Sequence, residues 1–359
     1  MKSNISPCMT PLIPIQSRVI GKGNPAFIIA EAGVNHNGDQ SIAEELIRSA
    51  KKSGADCVKF QTFKAERVVT KHAPKANYQR ITTNPDQSQL DMLRAIELSE
   101  QAYGRLISLC ESEDLVFTST PYNEEDIDFL VELGVPLLKS ASIHLAEPRF
   151  LQRLAETGLP LVVSTGMACW SEIDEALDAI HSTGNTQVIL LQCTTNYPSS
   201  LSDTHLRAMV EMRNRKRCLV GYSDHTQSHI PCLGAIALGA CVIEKHFTLD
   251  KNLPGPDHST SETPESFAAM VQDIRKMEIA LGGNEKKPTD AELANMPGMR
   301  RSIAVRHTLK KGHLISDKDL TCKRPACGIP PREWDKLIGR KTVREITDGS
   351  LIAWEDISD

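Results

Sequence analysis

Short apolar runs recur eight times along this chain of 359 residues, and most of them are separated by stretches of helical periodicity. Strands buried on both faces of a parallel sheet give such unbroken apolar runs, and a helix usually connects each strand to the next. Eight strand–helix units are the number that closes a (β/α)8 (TIM) barrel, so the sequence predicts an α/β fold of this kind. The runs lie at 27–31, 57–63, 116–122, 136–142, 161–166, 188–194, 219–225 and 241–247.

A doubly wound open sheet is the alternative arrangement of the same units. Such a sheet usually carries a glycine-rich phosphate loop of the form G-x-G-x-x-G after its first strand. The segment that follows the first run here, EAGVNHNGD, lacks that pattern. The barrel is therefore the favoured fold.

Two of the predicted helices have recognisable ends. In SIAEELIRSAKKSG, Ser41 and Glu44 have the spacing of a capping box, and Gly54 is suited to end the helix. NEEDIDFLVELG is expected to begin at a capping Asn123 and to end at Gly134.

The chain is longer than a usual domain of about 100–200 residues, and its character changes after the last predicted helix. We assign 25–284 to the barrel, 285–298 to a polar linker and 299–359 to a small β-rich domain with short alternating strands. Residues 1–24 form an N-terminal extension. Residues 64–95 are expected to be a long loop over the barrel mouth, because the second and third runs are unusually far apart.

Charge and cysteine usage narrow the functional class. The 41 basic and 46 acidic residues give a formal charge of −5, which provides no general field for holding nucleic acid or an anionic membrane. Ten cysteines are scattered without CxxC pairs, as reduced thiols are. No segment resembles a signal peptide or a membrane span. We expect a cytoplasmic protein with neither a nucleic-acid nor a membrane partner, in which any anionic ligand is held locally.

Polar residues end every predicted strand, and in a barrel the carboxyl ends of the strands surround the active site. Any one of them is easily explained as a capped helix start or a satisfied turn, but eight such strand ends together indicate a functional site. These residues are Glu31, Lys59, Gln61, Ser119, Thr120, Lys139, Ser142, Ser164, Thr194, Thr195, Ser223, Asp224, His225, Glu244, Lys245 and His246.

His225 and His246 end neighbouring strands, so their imidazoles are expected to lie close enough to share a divalent metal ion, with positions left for water or substrate. Two histidines alone are a weak metal signal, because a strand-end histidine is more often a hydrogen-bonded structural residue. His36 and His258 are further candidate ligands.

Lys59 and Lys139 are lysines on otherwise apolar strands, and two ammonium groups in a barrel mouth indicate a bound phosphate or carboxylate. Hydroxyl groups of Ser142, Ser164 and Ser223 would assist them.

Two questions remain open at this stage. Either lysine is alternatively the Schiff-base nucleophile of a class I aldolase, although the paired histidines favour metal activation. Glu31 is either a general base for water or the partner of a lysine.

Eight collinear motifs extend from the first strand into the C-terminal domain: IIAEAGVNHNGD, GADCVKFQTFKA, STPY, VVSTGM, LQCTTNYP, GYSDHT, LGACVIEKHFTLDKNLPGPDH and KRPACGI. Together they resemble the motifs of the sialic acid synthases, the N-acetylneuraminate synthase type, whose close relatives make legionaminic and pseudaminic acids. Only the first residues, 1–24, lie outside the resemblance.

The resemblance implies a (β/α)8 barrel followed by a small antifreeze-like (SAF) domain that reaches across a homodimer to cover the partner's active site. It implies condensation of phosphoenolpyruvate with the open-chain aldehyde of N-acetylmannosamine or a related N-acyl amino sugar. The products are a nine-carbon 2-keto acid, of the N-acetylneuraminate or legionaminate type, and phosphate. Mn²⁺ or Mg²⁺ is the implied cofactor.

The resemblance also assigns roles to individual residues. His225 and His246 match the metal ligands, and Glu31 matches a carboxylate that handles water. The residues that match phosphoenolpyruvate contacts are Lys59, Thr120, Lys139, Ser142, Ser164 and Ser223, with Thr195 at a related position. Those that match sugar contacts are Gln61, Tyr197, Asp257 and, in the SAF domain, Arg324.

One stretch departs from the family pattern. Where the family has Ser-Gly-Glu, the chain reads KSASIHLAEPRF, so that Ile143 replaces the glycine and His144 the glutamate. This exchange affects the sugar accepted or the catalytic efficiency, or it supplies a further metal ligand.

Three rival functions follow from these observations. The first is another metal-dependent phosphoenolpyruvate aldol synthase, such as the 3-deoxy-heptulosonate-phosphate type. The second is a Schiff-base aldolase. The third is an inactive sugar-binding homologue, which the exchange at Ile143 and His144 makes conceivable.

Overall fold

The computed structural model describes residues 12–84 and 86–358, apart from the side chain of Asn77. These residues form two compact units, one ending at Gly282 and the other beginning at Gly283. Within the described ranges, no helix combines the length and the apolar character that are needed to cross a bilayer.

The first unit opens with a hairpin of β1 (Leu12–Ile15) and β2 (Arg18–Gly21), which is followed by eight parallel strands. These strands are β3 (Phe27–Gly33), β4 (Cys57–Thr62), β5 (Val116–Pro121), β6 (Leu138–Ser140), β7 (Leu161–Ser164), β8 (Val188–Cys193), β9 (Leu219–Asp224) and β10 (Val242–His246). Backbone hydrogen bonds link them in the order β5-β4-β3-β10-β9-β8-β7-β6. Across the remaining seam, the Thr118 hydroxyl donates to the Leu137 carbonyl at 2.9 Å. The predicted (β/α)8 barrel is confirmed.

Helices connect these strands and cover the outside of the sheet. They are α1 (Gln40–Lys52), α2 (Ala65–Val68), α3 (Asn77–Thr82), α4 (Gln89–Ala95), α5 (Glu100–Ser112), α6 (Glu124–Glu132), α7 (Pro148–Glu156), α8 (Trp170–His181), α9 (Leu206–Lys216), α10 (Ile230–Ala237) and α11 (Pro264–Leu281).

Helix α1 begins earlier than the capping-box pattern predicts. Asp39 is the N-cap, and its Oδ1 accepts hydrogen bonds from the backbone N–H groups of Ser41 and Ile42 at 2.6 and 3.2 Å. Ser41 and Glu44 therefore lie inside the helix. At α6 the predicted Asn123 is the N-cap, and Asp126 Oδ2 accepts from its backbone N–H at 3.0 Å.

The barrel has two apolar layers that follow from the two-residue period of its strands. On β3, Ile28 and Ala30 pack toward the helices, whereas Phe27 and Ile29 point into the barrel. The N-terminal hairpin belongs to the inner layer, since its Ile13, Ile15 and Ile20 are buried there. Residues of the predicted N-terminal extension thus complete the barrel core, while residues 1–11 lie outside the described part of the chain.

The second unit has its own core. It contains α12 (Asp290–Met299) and the strands β11 (Ser302–Val305), β12 (Leu320–Lys323), β13 (Lys341–Thr342) and β14 (Ile357–Ser358). β11 pairs with β12 and β13 with β14, both antiparallel. The buried side chains are Ile303, Val305, Leu309, Ile315, Leu320, Ile329, Leu337, Ile346, Ile352 and Ile357. Helix α12 occupies most of the segment that we assigned to a linker.

Candidate active site

The barrel interior changes from apolar to charged toward the carboxyl ends of its strands. On β10, Val242 lies in the apolar inner layer, and Glu244 and His246 follow on the same face at intervals of two. A cavity of about 540 Å³ opens at this end. Every barrel residue to which the resemblance assigns a role lines it: Glu31, Lys59, Gln61, Thr120, Lys139, Ser142, Ser164, Thr195, Tyr197, Ser223, His225, His246 and Asp257. Of the other strand-end residues, Glu244 lines it, whereas Ser119, Thr194, Asp224 and Lys245 do not.

Lys59 is held by two carboxylates and a hydroxyl group. Its Nζ lies 2.6 Å from Glu31 Oε2 and 3.8 Å from Glu244 Oε2. It also donates to Thr120 Oγ1 at 3.0 Å. The ammonium group is therefore fixed at the cavity floor, because a buried charge of this kind needs several partners.

Lys139 is the second ammonium group of the floor. Its Nζ donates to Ser164 Oγ at 2.7 Å and lies 3.6 Å from Glu244 Oε1. Ser223 Oγ donates to the same Glu244 Oε1 at 2.9 Å. Glu244 therefore contacts both lysines, and with Glu31 the floor holds two ammonium groups against two carboxylates. Lys139 has only the shared carboxylate, so its ammonium group and the neighbouring hydroxyls are the donors suited to a further anion.

Burial and neighbouring charge shift the pKa values of this network. Burial opposes ionisation of Glu244, yet Lys139 and Lys59 hold its pKa below the usual value. Burial raises the pKa of Glu31 more than Lys59 lowers it. Burial lowers the pKa of Lys139, whereas Glu244 and Glu31 keep the pKa of Lys59 above its usual value against burial. Glu31 is therefore the more basic of the two carboxylates.

A pocket of hydroxyl and amide groups adjoins Lys139. Ser142 Oγ accepts a hydrogen bond from the Gly166 backbone N–H at 3.0 Å. Thr195 Oγ1 is buried and has no hydrogen-bond partner in the described part of the chain. A Cβ atom at Gly166 would meet Thr195 Oγ1 at 2.2 Å and Ser142 Oγ at 2.7 Å. The glycine therefore leaves the hydroxyls of this pocket accessible to a ligand.

His225 and His246 face each other across the cavity mouth, with ring centroids 5.3 Å apart. His225 Nδ1 lies 2.6 Å from the Thr194 carbonyl oxygen, which only accepts, so Nδ1 carries a proton and Nε2 is the nitrogen that can bind a metal when the ring is neutral. Burial opposes protonation of His225, but Cys193 and the Thr194 carbonyl hold its pKa above the usual value. His246 Nδ1 is buried without a hydrogen-bond partner among the described residues. Burial, with the nearby His225, lowers the pKa of His246 well below its usual value.

This histidine pair fits a divalent metal ion, because the Nδ1 hydrogen bond orients the His225 ring and His246 has a buried nitrogen without a partner among the described residues. A metal binds the neutral form of each ring, so binding would release the proton that the raised pKa of His225 favours. Among residues 12–84 and 86–358, no group of three or more His, Cys, Asp or Glu side chains is placed to hold a metal. The protein would supply two metal ligands, the imidazoles, and water or substrate would fill the remaining coordination positions.

The sugar-contact residues predicted in the barrel surround the same space. Gln61 Nε2 donates to Glu31 Oε1 at 3.2 Å, and Gln61 Oε1 accepts from the Tyr122 hydroxyl at 3.0 Å. The Tyr197 ring packs on His225 at a centroid distance of 4.1 Å. Burial, with Glu31 nearby, raises the pKa of Asp257 to about 7.

Two of the further candidate ligands lie elsewhere. His258 Nδ1 is 2.6 Å from Thr248 Oγ1, and His36 Nδ1 accepts from the Gly38 backbone N–H at 3.0 Å. Neither residue lines the cavity. The structure gives both histidines local hydrogen-bonding roles, so neither joins His225 and His246.

Arg324 belongs to the second unit, where its side chain is exposed. Its predicted contact with a sugar therefore remains a prediction.

Ile143 and His144, the two residues that depart from the family pattern, lie in different surroundings. Ile143 lines the cavity. His144 is buried beside it, with Nδ1 3.2 Å from Glu147 Oε2 and its ring 4.2 Å from that of Phe150. His144 is therefore not placed as a further metal ligand.

Tyr122 and Cys193 line the cavity, although they were not named as site candidates from the sequence. Glu244, which we placed among the strand-end residues without giving it a role, lines it too. The two-residue period of β10 is the signal that could have found Glu244, since it shares a face with His246. The same period sends Lys245 to the other face, where its Nζ donates to Asp224 Oδ2 at 2.6 Å.

Residues 64–95, which we call the lid segment, carry α2, α3 and α4 and contribute one wall of the cavity. Tyr78 packs on Tyr197 at a ring-centroid distance of 5.0 Å. Thr82 Oγ1 donates to the Pro256 carbonyl oxygen at 3.1 Å. The predicted loop over the mouth is thus built largely from short helices.

A barrel with two buried lysines and two imidazoles at its mouth defines an anion-binding site of an α/β enzyme. Comparison with known families shows to which family of α/β enzymes the chain belongs. Residues 46–286 match the NeuB family and residues 300–358 match the SAF domain.

Individual relatives are similar over nearly the whole chain. The chain is 46% identical to N,N'-diacetyllegionaminic acid synthase of Legionella pneumophila, over 94% of this chain and 96% of that protein. It is 32% identical to N-acetylneuraminate-9-phosphate synthase of Homo sapiens, over 94% of each chain. The crystal structure of an N-acetylneuraminic acid synthetase of Leptospira borgpetersenii is similar with a TM-score of 0.71 at 30% identity, covering 79% of this chain and 94% of that one. The chain belongs to the NeuB family and carries a SAF domain.

Proposed function

We propose that this protein is a synthase that condenses phosphoenolpyruvate with the open-chain aldehyde of an N-acyl amino sugar. The products are a nine-carbon 2-keto acid and phosphate. The relatives are named N,N'-diacetyllegionaminic acid synthase and N-acetylneuraminate-9-phosphate synthase, which supports this reaction. The observation that carries the proposal is the pair of buried ammonium groups on Lys59 and Lys139, which share one carboxylate beside two imidazoles.

Phosphoenolpyruvate carries a phosphate and a carboxylate, and the cavity floor offers a receptor for both. Lys59 and Lys139 supply the charge, and the hydroxyls of Ser142, Ser164 and Thr195 supply hydrogen bonds. Neutralising the two anions allows the electron-rich enol to approach the aldehyde, and fixed donors in a buried site do this more effectively than water.

We assign His225 and His246 as the residues that hold a divalent ion, Mn²⁺ or Mg²⁺. When bound, such an ion polarises a carbonyl oxygen and stabilises negative charge on it. In the bond-forming step the C2–C3 π pair of phosphoenolpyruvate forms the bond from C3 to the aldehyde carbon. The C=O π pair moves to the aldehyde oxygen, which takes up a proton, and C2 is left electron-deficient.

Water completes the reaction at C2 of the former enol. We propose that Glu31 takes the proton of this water. Its position in the cavity lining and its pKa, which burial raises, support this role. The resulting carbon bears a hydroxyl and a phosphate group. Collapse to the ketone breaks the C–O bond to phosphate, which leaves on the side of the lysines.

Gln61, Tyr197 and Asp257 are proposed to contact the sugar. We further propose a homodimer in which Arg324 of the SAF domain contacts the N-acyl group of the sugar bound to the partner subunit. The resemblance of the KRPACGI motif supports this arrangement.

The test is phosphate release from phosphoenolpyruvate with a panel of aldehydes. Release should require an N-acyl amino sugar and a divalent ion, and should be abolished by EDTA. Release with erythrose 4-phosphate alone would favour a heptulosonate-phosphate type of synthase. Trapping of pyruvate by borohydride, for which the lowered pKa of Lys139 provides a reason, would favour a Schiff-base aldolase. Sugar binding without phosphate release would favour an inactive homologue.

A further inference from the structure

The cavity wall near the lid segment differs from the charged floor, because it is apolar. Val34 and Ile96 are buried in a small cluster, and Val68 and Leu93 pack against it. All four side chains line the active-site cavity. A substrate that reaches this wall is stabilised if it presents a methyl group there and destabilised if it presents an unpaired hydroxyl.

Gln89 is a polar residue at the edge of this apolar cluster. Lys75 and Gln79 of the lid segment also line the cavity, but their side chains are hydrogen-bonded within that segment. Gln89 begins α4, one helical turn before Leu93, so the two side chains lie on the same face of the helix, and both line the cavity. The Oε1 atom of Gln89 is buried and accepts no hydrogen bond within the part of the chain that the structure describes. A buried carboxamide oxygen is costly to leave unpaired, so this atom at the cavity wall is available to accept a hydrogen bond from an N–H donor of a ligand.

We propose that Gln89, together with the apolar wall at Leu93, is a specificity-determining element that binds an acylamino group of the sugar. An acylamino group presents an N–H donor and a methyl group side by side, which matches the two features of the wall. This inference rests on the proposed function and deepens it. The element at Gln89 and Leu93 is expected to favour sugars of the 2,4-diacetamido-2,4,6-trideoxyhexose class over N-acetylmannosamine.

The group that we propose Gln89 binds is the second acylamino group of the diacetamido sugar. The first, at C2, is common to all candidate sugars, and it is the group that we assign to Arg324. A diacetamido trideoxy sugar also carries a methyl group in place of the terminal CH₂OH, which suits an apolar surface. The 46% identical relative is named for a product with two N-acetyl groups, in agreement with this choice.

Lys75 provides the strongest argument for a different sugar. It is buried and lines the same cavity, so that its charge would suit a sugar 6-phosphate. However, its Nζ donates to the Asn84 carbonyl oxygen at 2.6 Å and to Thr83 Oγ1 at 3.0 Å. These bonds tie the two sides of the lid segment together and give the lysine a structural role.

The experiment measures phosphate release by the full-length protein with three sugars: a 2,4-diacetamido-2,4,6-trideoxymannose, N-acetylmannosamine and its 6-phosphate. The wild type should favour the first by at least about tenfold in kcat/KM. Gln89→Met, which keeps the side-chain size and removes the amide, should lower kcat/KM for that sugar by about 10- to 100-fold and for N-acetylmannosamine by less than about threefold. The KM for phosphoenolpyruvate should stay unchanged in this variant.

Gln87→Met is the matched control, because Gln87 lies two residues away and does not line the cavity. Leu93→Ser provides a second variant and should also reduce the preference for the diacetamido sugar. Equal losses for all sugars in Gln89→Met, or a wild-type preference for the 6-phosphate, would overturn the inference. Absence of phosphate release with every sugar would instead contradict the proposed function.

Discussion

The Oε2 atom of Glu31 lies 2.6 Å from the Nζ atom of Lys59, and both side chains are at most 4% exposed. An ion pair removed from water in this way is a poor source of stability, since desolvation offsets most of the attraction. Its position at the barrel mouth instead gives the site a carboxylate of raised pKa beside a fixed positive charge. Such an arrangement suits a general base next to an anionic substrate.

Glu31→Gln should therefore reduce turnover more than binding. The amide keeps the shape and the hydrogen-bonding reach of the side chain but cannot take a proton from water. We expect kcat to fall by about 10²- to 10⁴-fold, while the KM for phosphoenolpyruvate changes by less than about threefold. Steady-state phosphate release measures both, and Glu211→Gln on the exposed face of α9 is the control. A kcat close to that of the wild type would remove Glu31 from the mechanism.

Gly166→Ala should weaken phosphoenolpyruvate binding. The added methyl group would collide with Thr195 Oγ1 and Ser142 Oγ, at 2.2 and 2.7 Å, and displace the hydroxyls that we assign to this substrate. The KM for phosphoenolpyruvate should rise by about tenfold or more, with a smaller change for the sugar. Gly104→Ala is the matched control, because a Cβ there has nothing within 4 Å and helix α5 tolerates alanine. Equal effects of the two changes would count against the assigned pocket.

His246→Gln should abolish stimulation by divalent ions. The substitution removes one of the two imidazole donors, and turnover at saturating Mn²⁺ should fall by at least about 100-fold. The melting temperature should change little, because the His246 ring nitrogen Nδ1 makes no hydrogen bond with the described residues. Phosphate release across a Mn²⁺ titration provides the measurement, and the half-exposed His229 provides the control as His229→Gln. Undiminished metal-dependent turnover in His246→Gln would refute the metal assignment.

Asp319 gives the second unit a pH-dependent stability. Burial opposes its ionisation, but hydrogen bonds from His313 and Ser316 hold its pKa at about 2. A folded-state pKa below the unfolded value of about 3.9 stabilises the fold above that pH, and this contribution disappears as the pH falls to about 2. Asp319→Asn should therefore destabilise the unit by about 2 kcal/mol at pH 7 and by progressively less below pH 4.

Hydrogen exchange by mass spectrometry over residues 300–358 of the full-length protein would measure this effect. Asp348→Asn is the control, because Asp348 is exposed. A destabilisation of Asp319→Asn that persists unchanged at pH 2.5 would show that the carboxylate charge is not its cause.

Patterns of period two and of apolar composition were sufficient to predict the barrel and most of its mouth. Glu31 and Lys59 were identifiable because each is a charged residue at the end of an apolar run that must be buried. Glu244 was seen at its strand end but not assigned to the site. Its role depends on which lysines face it from other strands, and the order of strands in space decides this.

Features that depend on tertiary contacts were not predictable. Asp39 is the N-cap of helix α1 because Asn37 and Gly38 adopt positive φ angles of 51° and 76°, which turn the chain just before that residue. The Gly38 turn is packed against the Ala95 carbonyl oxygen, which lies far away in the sequence. Gln89 carries no sequence signal either. It becomes notable only because the folded lid segment buries its Oε1 atom beside the apolar wall.

Exchange of SAF domains between subunits can be tested by complementation. Lys59→Met inactivates the barrel site, and Arg324→Ala removes the proposed contact to the sugar in the partner's site. In a mixed dimer, one of the two sites would combine an intact barrel with an intact SAF domain. Co-expression of the two variants should therefore restore about a quarter of the wild-type activity if subunits pair at random. Co-expression of Lys59→Met with Lys139→Met is the control and should restore none, because every site would then contain a defective barrel. Failure of the first pair to recover activity, with mixed dimers shown by differential tags, would place Arg324 in the site of its own subunit or in no site.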